Sequence, residues 1–154
     1  MRLRKFRSED AAACARLHRS TIRSINSKDY STEAIAAWSA KTSAAGFRKN
    51  MNEVHRYVAE IDKKIVGFAE YQDSGEISGM YIHKDYQRLG IAKKLYSHIE
   101  TLARKNDVEE FHLTSTVNAK EFYEKMGFRV IKKTKHSHDK TVYEMKKNLV
   151  PKSS

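Results

Sequence analysis

Cysteine and proline are almost absent: Cys14 and Pro151 are the only ones in 154 residues. A single thiol excludes an internal disulfide framework and a thiolate zinc cluster. One Pro and 6 Gly exclude collagen-like and low-complexity chains. No stretch approaches the ~18 apolar residues of a membrane-spanning helix. Arg2, Arg4, Lys5 and Arg7 make a basic start, but no apolar segment follows it, so no secretory signal is expected. The expected location is a reducing cytoplasm, with no membrane partner.

Acidic residues are also scarce. Asp+Glu number 19 against 30 Lys+Arg, a net charge of +11. Such a charge favours phosphates, nucleic acid, acidic proteins or anionic lipid as partners and says nothing about fold. Hydrophobic residues are 40% and aromatics 10%, which excludes wholesale disorder. The length suits one domain that buries roughly two-thirds of its unfolded surface. No repeat or linker is evident. We therefore expect one domain over 1–149 and a short polar tail over 150–154.

Leu3–Phe6 reads as a first strand. Ser8 is placed to cap a helix in which Glu9 and Asp10 suit the dipole and Ala13, Leu17, Thr21 and Ile25 form a stripe. Ser31-Thr32-Glu33 opens a second helix carrying Ile35 and Trp38, and Gly46 punctuates. Val54–Ile61 and Ile65–Tyr71 flank the turn Asp62-Lys63-Lys64 as a hairpin. Glu76–His83 is a third strand of this run, and Gly79 inside it marks a bulge or a close backbone approach. Gly90–Lys105 has the strongest helical periodicity, with Ala92, Leu95, Tyr96, Ile99, Leu102 and Ala103 on one face. Glu110–Thr116 is a strand, Asn118–Met126 a short helix ended by Gly127, and Phe128–Lys135 and Thr141–Leu149 two more strands. The fold class is α/β (α+β): a mixed, mostly antiparallel sheet of six to seven strands, bulged near Gly79–Tyr81, flanked by about four helices.

The chemistry concentrates after the strand that ends near His83. Tyr86-Gln87-Arg88-Leu89-Gly90-Ile91-Ala92-Lys93-Lys94 runs into a helix N-terminus. Free N–H groups there, small residues and Arg88, Lys93 and Lys94 together suit a phosphate. A second block, Asn118-Ala-Lys-Glu-Phe-Tyr-Glu-Lys-Met-Gly-Phe128, follows a later strand.

Together these blocks resemble the GNAT superfamily of acetyl-CoA-dependent N-acetyltransferases. The first is similar to its pyrophosphate loop, Q/R-x-x-G-x-G/A, and the second to N-A-x-x-F-Y-x-x-x-G-F. Met80-Tyr-Ile-His-Lys-Asp-Tyr-Gln87 resembles the strand exit L-Y-V-H-P-x-Y-Q, with Lys84 in place of the usual Pro. The clear match covers Val54–Phe128. Asp29–Trp38 resembles a Y-S-x-E segment of one bacterial branch.

The resemblance implies acetyl-CoA as cofactor and direct acetyl transfer to a primary amine, small molecule or peptide, in a ternary complex. It implies that Met80, Tyr81 and Ile82 offer backbone groups to the pantetheine arm and the reacting oxygen. It implies a diphosphate cradle at Gln87, Arg88, Leu89, Gly90, Ile91, Ala92 and Lys93. Asn118 reads as a helix N-cap, to which the resemblance adds a pantetheine contact. From periodicity alone Tyr123 is a core residue; the resemblance makes it the acid near the cofactor sulfur. Glu76 is the implied base, with Glu70 and His83 as rivals. Tyr30 and Trp38 are candidates to line the acceptor pocket. No metal is expected, and His136 and His138 read as loop residues. Cys14 reads as a buried inert thiol. Homodimers are common in the superfamily, so a homodimer is one assembly open to this chain. The alternative reading is a basic nucleic-acid-associated module, or an acetyltransferase acting on a charged RNA. It rests on the net charge, the basic start and the Arg129/Lys132/Lys133/Lys135 cluster.

Overall fold

The computed structural model describes residues 1–24, 30–136 and 140–150. Ile25, Asp29, His138, the side chain of His136 and residues 151–154 lie outside the described residues. In chain order the elements are β1 (Arg2–Lys5), a 3₁₀ turn (Ser8–Asp10), α1 (Ala11–Ser24), α2 (Thr32–Ala40), α3 (Ala44–Lys49), β2 (His55–Ile61), β3 (Lys64–Tyr71) and β4 (Ile77–Ile82). A 3₁₀ turn (Lys84–Tyr86) leads to α4 (Ile91–Lys105), β5 (Glu110–Thr116), α5 (Lys120–Lys125), β6 (Arg129–His136) and β7 (Lys140–Asn148).

The strands form two antiparallel sheets, ordered β1-β2-β3-β4 and β5-β7-β6. They meet at a parallel bridge between Glu76 and His112, where the His112 N–H donates to the Gly75 carbonyl at 3.0 Å. Beyond that bridge β4 is an edge strand of its own sheet, and its outer backbone groups face the gap toward β5.

The β2–β3 hairpin closes on Asp62 and Lys63 at φ 49° and 65°, the left-handed pair that matches the twist of the strands. Side chains of the first sheet alternate between two cores. Val58 and Phe68 join Phe6, Ala11, Cys14, Leu17 and Phe47 under α1 and α3. Ala59, Ala69 and Tyr71 join Leu95, Ile99 and Phe111 under α4. So α1 and α4 cover opposite faces of the sheet. The bulge expected near Gly79–Tyr81 has Ser78 as its extra residue: Glu70 pairs with Gly79, and Tyr71 with Ile77. Gly79 supplies the close approach, since a Cβ there would stand 3.3 Å from Glu70 Cγ.

Some local expectations need correction. Ser8 does not cap α1; it begins the 3₁₀ turn, and the Arg7 N–H donates to Asp10 Oδ2 at 2.8 Å. Gly46 does not interrupt the chain but lies inside α3, where its N–H donates to the N-cap Ser43 hydroxyl at 3.1 Å. There are thus five α-helices among the described residues. Asn118 is not the N-cap of α5; Ala119 is.

Arg4 of the basic start, and the cluster after Phe128, find local explanations. Arg4 is clamped by Asp10 and Glu60, at 2.8 and 3.0 Å. Arg129, Lys132, Lys133 and Lys135 lie on β6, an edge strand, where exposed cations oppose pairing with another chain.

Candidate active site

A cleft of about 250 Å³ opens between β4 and β5 and is closed at one end by α5. Met80, Tyr81, Ile82, Gln87, Ala92, Asn118 and Tyr123 line it, together with Ser78, Gly79, Thr21 and Phe122.

The β4 wall follows from strand register. The His83 N–H donates to the Val66 carbonyl at 2.7 Å, so Gly67 and Ile82 are a non-hydrogen-bonded pair. Ile82, and Met80 two residues earlier, therefore turn their N–H and C=O groups away from β3 and into the cleft. Gln87 confirms the direction: its Nε2 donates to the Ile82 carbonyl at 2.7 Å. Gln87 thus ties the loop to the strand with its side chain.

That loop leads to the N-terminus of α4. Arg88 and Gly90 are left-handed, at φ 62° and 79°. The first intrahelical bond runs from the Lys94 N–H to the Gly90 carbonyl at 3.1 Å. The N–H groups of Ile91, Ala92 and Lys93 therefore lack intrahelical acceptors and carry the positive end of the helix dipole. No atom lies within 4 Å of where a Cβ on Gly90 would stand, so space remains above the backbone. Ile91 itself is buried in the core and contributes only its backbone; Arg88, Leu89 and Lys93 are exposed. An open edge strand ending at a donor-rich helix start fits a long polar arm ending in a polyanion.

Tyr123 sits on α5, 7% exposed, with its ring against Phe122 and Phe128. Burial, with a smaller contribution from Tyr81, pushes its phenol above the usual tyrosine range. Tyr81 is raised for the same reason, with Glu70 adding to it. Both hydroxyls keep their protons at neutral pH.

Glu76 is half-buried at the bridge where β4 meets β5 and is outside the cleft lining. It makes no ion pair among the described residues. Glu70 is committed elsewhere. It accepts from Arg56 Nε at 2.9 Å and from Ser78 Oγ at 2.8 Å. His83 caps the following turn by accepting from the Asp85 N–H at 3.1 Å. Tyr30 precedes α2 instead of sharing it, yet its ring meets Trp38 edge-on at 5.6 Å. Its hydroxyl donates to the Thr141 carbonyl at 2.7 Å and accepts from the Val117 N–H at 3.0 Å, and neither aromatic lines the cleft. Cys14 is fully buried and its thiol is pushed up to about 12, so it is unreactive.

Sequence reading missed Ser78 and His18. Ser78 carries no motif; only the bulge turns it into the cleft. The His18 ring packs against that of Tyr81 at a tilt of 45°, with centroids 4.1 Å apart, and its Nδ1 meets Thr42 Oγ1 at 3.1 Å. Its Nε2 is buried without a hydrogen-bond partner.

A family model described as an acetyltransferase (GNAT) domain matches residues 26–149. The chain belongs to the GNAT family. Its cofactor is acetyl-CoA. No curated protein matches the sequence. Among solved structures, a GCN5-related N-acetyltransferase from Rhodopseudomonas palustris is 26% identical, with TM-score 0.88 over 96% of this chain and 94% of that one. The PaiA N-acetyltransferase of Thermoplasma acidophilum, solved with coenzyme A, is 22% identical, with TM-score 0.82 over 96% and 98%. The ribosomal-protein-S18-alanine N-acetyltransferase of Escherichia coli is 16% identical, with TM-score 0.77 over 99% and 96%. The acetyltransferase described here shares the fold of the last two. No helix among its described residues is long and apolar enough to cross a membrane.

Proposed function

We propose that this acetyltransferase carries the acetyl group of acetyl-CoA directly to a primary amine, of a small molecule or a peptide, within a ternary complex. The carrying observation is that the Met80 and Ile82 backbone groups open onto a cleft that runs to the bare N–H groups of α4. Met80, Ile82 and Asn118 would hold the pantetheine arm. Tyr81, expected to share this role, forms a hydrogen-bonded pair with Phe68, so its backbone groups face β3 and only its side chain lines the cleft. Gln87 would fix the loop, and the loop backbone, Gly90 to Lys93, would hold the diphosphate. The cofactor supplies the activated acetyl group, and the products are an acetamide and a free thiol.

Tyr123 holds a proton at its hydroxyl beside the cleft and is the proton donor. Ser78 turns its hydroxyl hydrogen to Glu70, which leaves its oxygen lone pairs for the N–H of an incoming amine. An alkylamine with a pKa of ~10.4 arrives protonated and must lose a proton before attack. Glu76, half-buried at the bridge where β4 meets β5 and without an ion-pair partner among the described residues, takes that proton through solvent. No cysteine takes part, in keeping with a buried, protonated Cys14.

Calorimetric titration with acetyl-CoA, followed by a thiol-release assay on an amine panel, tests this reading. One binding site per chain and thiol release that depends on the amine are expected. Absence of binding at millimolar acetyl-CoA contradicts it.

A further inference from the structure

We infer that the amine acceptor carries an anionic group, a carboxylate or a phosphate, that docks in an arginine-lined groove beside the cleft. The inference rests on the acetyl-transfer reading above and adds the acceptor's charge to it.

The groove has a volume of about 400 Å³ and is lined by Arg16, Arg19, Ser20, Arg23, Ser24 and Lys84. The arginines stand at i, i+3 and i+7, so they share one face of α1. Lys84 faces them from the turn that leaves β4. Among the described residues none of these four cations has a carboxylate within 4.0 Å. Arg19 does donate to the Thr42 carbonyl at 3.0 Å. The neighbouring acid, Asp85, lies 3.8 Å from His83 Nδ1. Elsewhere the protein neutralises its inner cations, as at Arg4 and Arg56. Four like charges left together are mutually repulsive, and an anion between them relieves that repulsion.

The groove continues the walls of the cleft. Thr21, on the same helix as the arginines, lines the cleft, and so do Ile82 and Gln87 on either side of Lys84 in sequence. Lys84 precedes the proposed diphosphate loop by three residues, but the three arginines stand apart from it. The arginines belong to α1 and the diphosphate-binding N–H groups to α4, and these helices cover opposite faces of the sheet. The acceptor approaches from the α1 side, where Ser78 and Thr21 meet the cleft. There the sign of the charge selects an anionic amine over a polycation.

The test is steady-state acetylation by the full chain with four acceptors. Two are peptides with the same free N-terminal residue, followed by either Asp-Glu-Asp or Lys-Arg-Lys. Two are small amines, O-phosphoethanolamine and spermidine. The acidic peptide or the phosphoamine should exceed its cationic counterpart at least tenfold in kcat/KM, and which pair shows it identifies the source of the anion. The preference should shrink with added salt. The exposed pair Arg16→Gln/Arg23→Gln should raise the KM of the anionic acceptor and leave the KM for acetyl-CoA in place, with an unaltered circular dichroism spectrum. Equal rates within both pairs, preference for the cations, no turnover of any acceptor by protein that binds acetyl-CoA, or a shift confined to the KM for acetyl-CoA overturns the inference. Failure to bind acetyl-CoA instead removes the transferase reading on which it stands.

Discussion

Gln87 reaches back across its own loop to donate to the carbonyl of Ile82 at 2.7 Å. The residue that a phosphate loop would expose to its ligand is here a strut between the loop and the strand. It holds the α4 N-terminus in register with the backbone groups of β4.

Gln87→Ala should therefore act on cofactor binding. Loss of one such bond costs about 1 kcal/mol, or a roughly fivefold rise in the KM for acetyl-CoA. The value of kcat should change much less. Initial-rate measurements with acetyl-CoA varied at saturating amine check this.

A second prediction separates Glu70 from Ser78. Arg56 is 2% exposed, lies over the rings of Phe6 and Phe47 at 4.6 and 4.5 Å, and donates to Glu70, the Phe47 carbonyl and Asn50. Glu70→Gln leaves that guanidinium buried without its counter-charge and should cost roughly 3–5 kcal/mol of stability. Ser78→Ala removes one donor to the Glu70 carboxylate but leaves the Arg56 pair intact. It should cost about 1–2 kcal/mol of stability, less than Glu70→Gln, yet raise the KM for the amine. Urea unfolding of both variants, paired with amine kinetics for Ser78→Ala, distinguishes the two roles.

The fold was legible where periodicity and turn chemistry act locally. The hairpin at Asp62–Lys63, the apolar face of α4 and the stop at Gly127, with φ 98°, all follow from neighbouring residues. The helix α3 was not legible. It is six residues long, contains Gly46, and is held by burying Phe47 against Phe68 and Arg56 rather than by propensity. The placement of Asn118 was misread because its side-chain type suits a cap, whereas here it precedes the capping position and faces the cleft. The strand–loop–helix unit proposed to hold the cofactor could be located because its donors are backbone groups set by neighbouring residues. The end proposed for the acceptor could not, since Ser78, Thr21, Arg16, Arg23 and Lys84 come together only through the packing of α1 on β4.

His18 gives a third prediction, in pH. Burial lowers its pKa to about 4, with Arg19 adding to the effect. The folded state thus holds His18 neutral, while the unfolded chain binds a proton near pH 6.5. Its folded pKa is depressed, so stability is fully present above about pH 6.5 and declines as pH falls toward 4. Between pH 7 and pH 5 this one group should cost about 2 kcal/mol. In His18→Gln that part of the pH dependence should vanish, as read from urea midpoints at the two pH values. An unchanged slope in the variant would show that His18 is not the group responsible.

The central claim is that the cleft between β4 and β5 transfers an acetyl group and that Tyr123 supplies the proton there. The most direct measurement is amide formation from acetyl-CoA on a reactive amine acceptor, followed by mass spectrometry for the wild-type chain and Tyr123→Phe. The phenylalanine keeps the apolar packing against Phe122 and Phe128 and removes only the hydroxyl. We predict that the wild type acetylates the amine in step with thiol release, and that Tyr123→Phe lowers kcat by roughly 10²-fold or more while the KM for acetyl-CoA changes little. Equal turnover by the two proteins, or no acetylated amine from either, contradicts the account.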